Sequence, residues 1–368
     1  MARTPKPPRP TRAAPVPVAL ALQGGGTHTA FGWGVLESLL QAEEEGVIRI
    51  VAISGTSGGA LNATALAAGL TDGPSGGRLR LEQLWDSVVD EARFTNPFTA
   101  LPVGLTMDWN IDATPLAMAT ALTSQFLSPY MLGLNSGALS RVISRVLPDL
   151  DALAVPNREP ALYVCATQIE RTERAVFASP PVPGDAQQNP MPAVTPEALL
   201  ASACLPQLFP AVETAQGYMW DGGFLGNPAL EPLLSHAADI IIVAINPLER
   251  DDMPPRTATA ILDRVNELAF NAALLMEVRA IERVNDWVAQ GLLPHKKRVR
   301  LHRIADDAGM AKLGFASKLN PNADFVRALR TQGRTIANRW LATHQPELGD
   351  PAAHSSIRHL MRKTRAAT

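Results

Sequence analysis

An α/β fold is the first reading that the 368-residue sequence supports. Two observations carry it. Stretches of helical periodicity alternate with β-prone runs, and those runs are continuously apolar, as strands buried on both faces of a parallel sheet are. Val16 to Leu22 is the first β-prone run; Phe31 to Glu44 then carries Phe31, Val35, Leu36, Leu39 and Leu40 on one helical face. Val47 to Ile53 completes a β-α-β unit. A further helix is predicted from Gly58 to Ala68, closed by Gly69 and the turn-rich Asp72 to Gly77. Ala161 to Thr167, Arg174 to Ala178 and Asp239 to Ile245 read as strands, the last as a central one. Thr195 followed by Pro196 looks like an N-cap and first helical position, opening a short helix to Cys204. Ala258 to Gln290 is one long helix or two, Lys297 to Ile304 alternates as an edge strand would, and Asn322 caps a last helix to about His344. Ser179 to Val194 is the clearest mobile loop.

Composition narrows the function classes. Apolar residues make up 46% and charged residues 18%, which excludes a wholly disordered chain. At about 150 residues per domain, the length fits two domains or one large α/β unit with extensions. Lys plus Arg is 33 against 35 for Asp plus Glu, a net charge of −2, so no general electrostatic attraction to nucleic acid exists. Cys165 and Cys204 are too few for a disulfide framework or a cysteine-based zinc site. No apolar run approaches the roughly 18 residues that cross a bilayer, and a soluble protein is expected. Met1 to Pro17 reads as an extended, proline-rich basic arm without a signal-type apolar stretch, and Pro351 to Thr368 as a basic tail. Both ends read as solvated, with contact to anionic surfaces as the alternative.

The strongest local signal is Gly55-Thr56-Ser57-Gly58-Gly59, between a strand and a helix. A serine in Gly-x-Ser-x-Gly needs small neighbours because it sits on a strained strand-to-helix turn, and the helix start behind it favours developing negative charge. Gly24-Gly25-Gly26 follows the first strand and precedes the first helix, at the same sheet edge, where convergent amides can form an oxyanion hole. A phosphate cradle is the alternative, but a Walker loop requires a Gly-Lys-Ser/Thr ending that is missing, and a dinucleotide fingerprint requires glycine where Thr29 stands. None of the seven histidines suits a third triad position; His28 reads as a substrate-side or structural group. Asp221, ending an apolar stretch before Gly222 and Gly223, is the better base, since a carboxylate partly removed from water has a raised proton affinity. A turn aspartate before a Gly-Gly corner is the plainer alternative.

These residues resemble a known family. Gly24-Gly25-Gly26 with Phe31 to Leu36, then Gly55 to Asn62, then Ala201-Ser202-Ala203-Cys204-Leu205-Pro206, then Asp221-Gly222-Gly223, look like the ordered landmarks of the patatin-like phospholipases. The resemblance covers about Val18 to Ile245, and more weakly the chain to Ile304. It implies a three-layer α/β/α sandwich with a mainly parallel central sheet, and a Ser-Asp dyad that releases fatty acid from phospholipid or related lipid esters. Carried over by position, Ser57 is the nucleophile and Asp221 the proton acceptor. Gly24, Gly25, Gly26 and Thr27 form the oxyanion hole, Gly55, Gly58 and Gly59 the elbow, and Gly222 and Gly223 the base motif. Thr29 departs from the family's usual glycine and would be strained if that position required positive φ.

The organisation expected is an arm over 1–17, a catalytic domain over 18–304, a helical extension over 305–350 and a tail over 351–368. No cofactor and no metal are called for. The partners expected are a lipid or other acyl-ester substrate and peripheral contact with a membrane surface, without nucleic acid, in the cytoplasm. Phe94 to Trp109 and Phe126 to Leu134 are apolar enough to serve as a lid or interface-seeking surface, or to pack over the sheet. Hydrolysis of another hydrophobic ester or polyester is the alternative activity, and a catalytically silent binding or regulatory protein, motivated by Thr29, is the alternative class.

Overall fold

The computed structural model describes residues 14–353 apart from 97–108, 113, 132, 134, 185–188, 207 and 251–253. Among the described residues, eight strands form one sheet: β1 Val16–Leu22, β2 Ile48–Thr56, β3 Ala161–Gln168, β4 Glu173–Ser179, β5 Val212–Thr214, β6 Gly217–Asp221, β7 Asp239–Val243 and β8 Arg300–Ile304. Their order is β5-β6-β3-β2-β1-β7-β8, with β4 also on β3. The pairs β3-β2, β2-β1, β1-β7 and β7-β8 are parallel; β4, β5 and β6 pair antiparallel. The helices are α1 Ala30–Glu44, α2 Gly58–Gly69, α3 Gly73–Thr95, α4 Pro115–Phe126, α5 Gly137–Val146, α6 Pro196–Ser202, α7 Ala258–Ala289, α8 Asp307–Met310 and α9 Ala323–His344.

Side-chain alternation explains the layers, because successive strand residues point to opposite faces. On β1, Val18, Leu20 and Leu22 join the core under α1, α2, α3 and α9, whereas Ala19 and Ala21 join the opposite core, which α7 covers with Leu274, Val278 and Ile281. The register of β1 on β2 slips between Val18 and Ala19, whose partners are Ile50 and Ala52. That extra residue changes the parity of β2: Ile48 and Ile50 face the α1 side, and so does Ile53. The result is the expected three-layer α/β/α arrangement with a mainly parallel sheet.

Several elements differ from the sequence expectations for local reasons. Asp72 to Gly77, read as a turn, opens α3 instead: Pro74 stands in its first turn, and Gly76 and Gly77 let α3 cross closely over Gly69 and Leu40. Ala258–Ala289 is a single helix, capped by Thr257 Oγ1, which accepts from Ala260 N–H. Ser179 to Val194 carries bridges at Ala178–Ala193 and Val182–Met191 on either side of 185–188, so the described part is not a free loop. Most of the N-terminal arm, the tail from 354, and most of Phe94 to Trp109 lie outside the described residues. Phe126 and Met131 are 80% and 74% exposed and do not pack over the sheet.

Residues 305–350, expected as an extension, are built into the catalytic layer. α9 lies directly on α1, where a Cβ on Gly34 would stand 1.9 Å from the Arg330 carbonyl oxygen and one on Gly333 would stand 1.9 Å from that of Phe31. Only hydrogen on both glycines lets the two backbones approach this closely. Arg330 Nε donates to Glu37 at 3.1 Å, and its guanidinium lies 3.9 Å over the Trp33 ring. Gly333→Ala is expected to destabilise the fold by about 3 kcal/mol through overpacking against backbone, read as a lower melting temperature at unchanged unfolding slope.

Candidate active site

The site lies at the carboxyl ends of β1, β2 and β7, where open α/β sheets bind their ligands. Because β1 and β2 pair in parallel with Leu22 opposite Gly55, the turns that leave them emerge side by side. β2 runs on through Thr56, and Ser57 then takes φ 55° and ψ −128° before α2 begins. A non-glycine residue at positive φ is costly and persists only when its surroundings impose it. Here Ser202, at the end of α6, does so: its Oγ accepts from Ser57 N–H at 2.9 Å and donates to the Cys165 carbonyl at 2.6 Å. The elbow glycines allow close passage, since a Cβ on Gly55 or Gly59 would meet backbone at 2.5 or 2.4 Å, and one on Gly58 would strike Thr29 Oγ1.

Asp221 reaches the same point through β3. One edge of β3 pairs with β2 up to Thr56–Cys165 and then, from the next residue, with β6, where Ala166 faces Asp221. The end of one strand and the end of the other are thus consecutive along a single edge. Asp221 N–H donates to the Cys204 carbonyl at 2.8 Å, and its own carbonyl accepts from Thr167 Oγ1 at 2.9 Å. Gly222 passes beneath β3 so closely that a Cβ would lie 2.2 Å from the Cys165 oxygen. The carboxyl is buried; Oδ1 accepts from Gly223 N–H at 2.7 Å, and Oδ2 is enclosed without a formed hydrogen bond. Burial pushes the Asp221 carboxyl up from 3.8 to about 7, against the pull of Gly223 N–H, the Ser57 hydroxyl and the Lys318 charge. Ser57 itself is 7% exposed.

The glycine turn closes the third side. A Cβ on Gly24 would meet Ser57 Cβ at 2.8 Å, which puts the turn against the serine. Gly24 N–H is committed to Asn227 Oδ1 at 2.6 Å, so this residue's amide is not open to a ligand. Internal hydrogen bonds of the 3-10 turn over Gly26–Thr29 begin with His28 N–H donating to the Gly25 carbonyl. Among the described residues no acceptor takes the N–H of Gly25, Gly26 or Thr27. Gly26 carries the positive φ, 56°, and sits over the Lys318 carbonyl, where a Cβ would come to 2.3 Å. Thr29 has φ −70° and ψ −5°, so the strain that its departure from glycine suggested does not arise; its hydroxyl donates to the Gly26 carbonyl instead. His28 is structural: it is buried, its Nε2 is 2.7 Å from Ser317 Oγ, and burial pulls its proton affinity well down.

A family profile for patatin-like phospholipases matches residues 20–234, more than half of the chain and all of these turns. The chain belongs to the patatin-like phospholipase family. Solved structures with a similar course include VipD from Legionella pneumophila, 15% identical with a TM-score of 0.41, covering 89% of this chain and 67% of that one. ExoU of the Pseudomonas aeruginosa type III secretion system, in complex with SpcU, aligns at 17% identity and TM-score 0.30, covering 89% of this chain and 53% of that one. This patatin-like chain thus spans about half the length of ExoU. No curated relative matches it significantly.

Among the described residues, no cluster of three or more His, Cys, Asp or Glu side chains could hold a metal ion, and no helix is long and apolar enough to cross a membrane. Sequence reasoning missed Ser202, Asn227, Asn246 and Lys318. The motif containing Ser202 stood among the quoted landmarks, but nothing local to it signals the serine's contact with the elbow.

The raised proton affinity of Asp221 has a stability consequence. Between about pH 4 and pH 7 the folded protein keeps a proton that the unfolded chain has released, so stability falls as pH rises through that window. Asp221→Asn removes the buried charge. It is expected to raise the melting temperature at pH 8, by a gain on the order of a few kcal/mol, and to make no difference near pH 4. A pH series of thermal melts on both proteins checks this.

Proposed function

We propose that this patatin-like enzyme hydrolyses acyl esters of phospholipid or related lipids through a Ser57-Asp221 dyad, with the amides of Gly25, Gly26 and Thr27 as the oxyanion hole. The observation that carries the reading is the handover on β3, which sets Asp221 one residue along from the partner of Thr56. An acid in that place, with a pKa of about 7, is half ionised at neutral pH and matched to general-base work.

The reaction has two halves. Ser57 Oγ attacks the ester carbonyl carbon while its proton passes to Asp221, and the turn amides hold the oxygen as it becomes negative. Collapse breaks the bond to the alcohol, which leaves with the proton from Asp221 and leaves the acyl group on Ser57. Water then attacks the acyl carbon and gives its proton to the same carboxylate; collapse breaks the bond between the acyl carbon and Ser57 Oγ, which takes that proton back from Asp221 as the fatty acid leaves. Ser202 keeps the Ser57 N–H occupied throughout, so the serine's own amide is not among the oxyanion donors.

The alcohol half of the substrate is not seen by the dyad, so head group and acyl position follow from surfaces beyond it. Phe126, Tyr130 and Met131 are exposed apolar side chains, in keeping with a lipid substrate presented in a membrane or micelle. Product analysis on phospholipid vesicles with wild type, Ser57→Ala and Asp221→Asn is expected to show fatty acid only with wild type, each variant losing about 10³-fold or more. Wild-type kcat/KM should rise with pH through about 7 as Asp221 ionises. Turnover of soluble short-chain esters without release of fatty acid from vesicles would overturn the lipid assignment. Fluorophosphonate labelling that persists in Ser57→Ala would overturn the nucleophile.

A further inference from the structure

Beneath the glycine turn lies a cation with no part in the scheme above. Lys318 belongs to a 3-10 turn, Phe315–Leu319, nearly a hundred residues beyond Asp221, and its side chain is buried. Its Nζ donates to Asn246 Oδ1 at 3.1 Å, and Asn246 Nδ2 donates to the Gly24 carbonyl at 3.2 Å. Its backbone carbonyl is the surface on which Gly26 rests, and its neighbour Ser317 meets His28. A long, flexible, charged side chain is an expensive choice for a role that packing alone could fill.

We propose that Lys318 is a positioning residue for acyl transfer: through Asn246 it fixes the carbonyl of Gly24, and it keeps a buried positive charge beside the glycine turn and Asp221. This rests on the Ser57-Asp221 reading above. The groups that face Lys318 come from several elements: Asp263 and Glu267 of α7, Arg250 after β7, and Asp112 before α4, besides Asp221 and His28. Arg250 is shared between Asp263 and Glu267 at 2.7 and 2.6 Å, and Glu267 also holds Arg264 at 3.0 Å; burial pulls the proton affinity of Lys318 down, and the Asp263, Glu267 and Asp112 carboxylates oppose that pull. His28 is held neutral, so the turn supplies no charge of its own. Asp221 is otherwise faced by Cys165 and Cys204, whose thiols burial pushes up to about 12 and which stay uncharged while the acid titrates. A fixed charge here favours both the carboxylate that takes the serine proton and the oxyanion that follows.

Two variants separate the bridge from the charge. Asn246→Ala cuts the link to Gly24 and leaves the ammonium; Lys318→Gln keeps a hydrogen-bond donor and removes the charge. With fluorophosphonate labelling to count competent sites, Asn246→Ala is expected to lower kcat about tenfold per labelled site with the acid limb of the pH profile in place. Lys318→Gln is expected to lower kcat similarly and to move that limb upward by about half a unit or more, because losing the positive charge makes Asp221 harder to ionise. If the wild type labels at Ser57 and both folded variants keep its kcat and its limb, Lys318 is structural and the proposal fails. Should Lys318→Gln not fold, an unchanged kcat in Asn246→Ala alone overturns the positioning role and a loss supports it. Absence of wild-type labelling at Ser57 would instead count against the dyad itself.

Discussion

The edge of β3 is the constraint on which the site depends. Five of its residues pair with β2 and the next three with β6, so two strands separated by 160 residues of chain end against each other. Backbone hydrogen bonds fix that meeting to within a fraction of a residue spacing, which side-chain packing alone would not do. Ser57, Asp221, Ser202 and the Cys165 carbonyl are all referred to the same short stretch of ladder. The strain at Ser57 and the burial of Asp221 are tolerated because this ladder leaves neither residue an alternative place.

The acid shows how one environment serves two opposed demands. Burial raises its proton affinity, which suits a base working near neutrality and costs stability whenever it is ionised. Three features hold the rise in check: Gly223 N–H, the serine hydroxyl and the Lys318 charge. The glycines after Asp221 are therefore spatial as much as conformational, since Gly222 clears β3 and Gly223 brings its amide to Oδ1.

Much of the scaffold was legible in the sequence because it rests on local patterns. The apolar runs of β1, β2, β3 and β7, the face of α1, and the caps at Thr195 and Asn322 all appear within a few residues of the expected bounds. Asp72 to Gly77 misled for a physical reason: its glycines signal a turn locally, but they serve a close helix crossing that only the tertiary structure reveals. The pairing of Ser57 with Asp221 was an expectation carried by the family resemblance, not by any local pattern in the chain. What no local pattern could disclose was the set of polar partners. Ser202, Asn227, Asn246 and Lys318 look like ordinary polar residues until the chain is folded, and the engagement of Gly24 N–H by Asn227 removes one amide from the expected oxyanion set.

The depth at which the last third of the chain is embedded bears on how the enzyme comes into being. When a ribosome has delivered Asp221, Ser57 and Asp221 both exist as residues, yet β7, which flanks β1, and the Phe315–Leu319 turn under Gly26 have not been made. The glycine turn then has nothing to rest on, and α1 still lacks α9 across Gly34. Synthesis in chain order therefore leaves the glycine turn unsupported, and the face of α1 uncovered, until the residues from Phe315 to His344 have joined the fold.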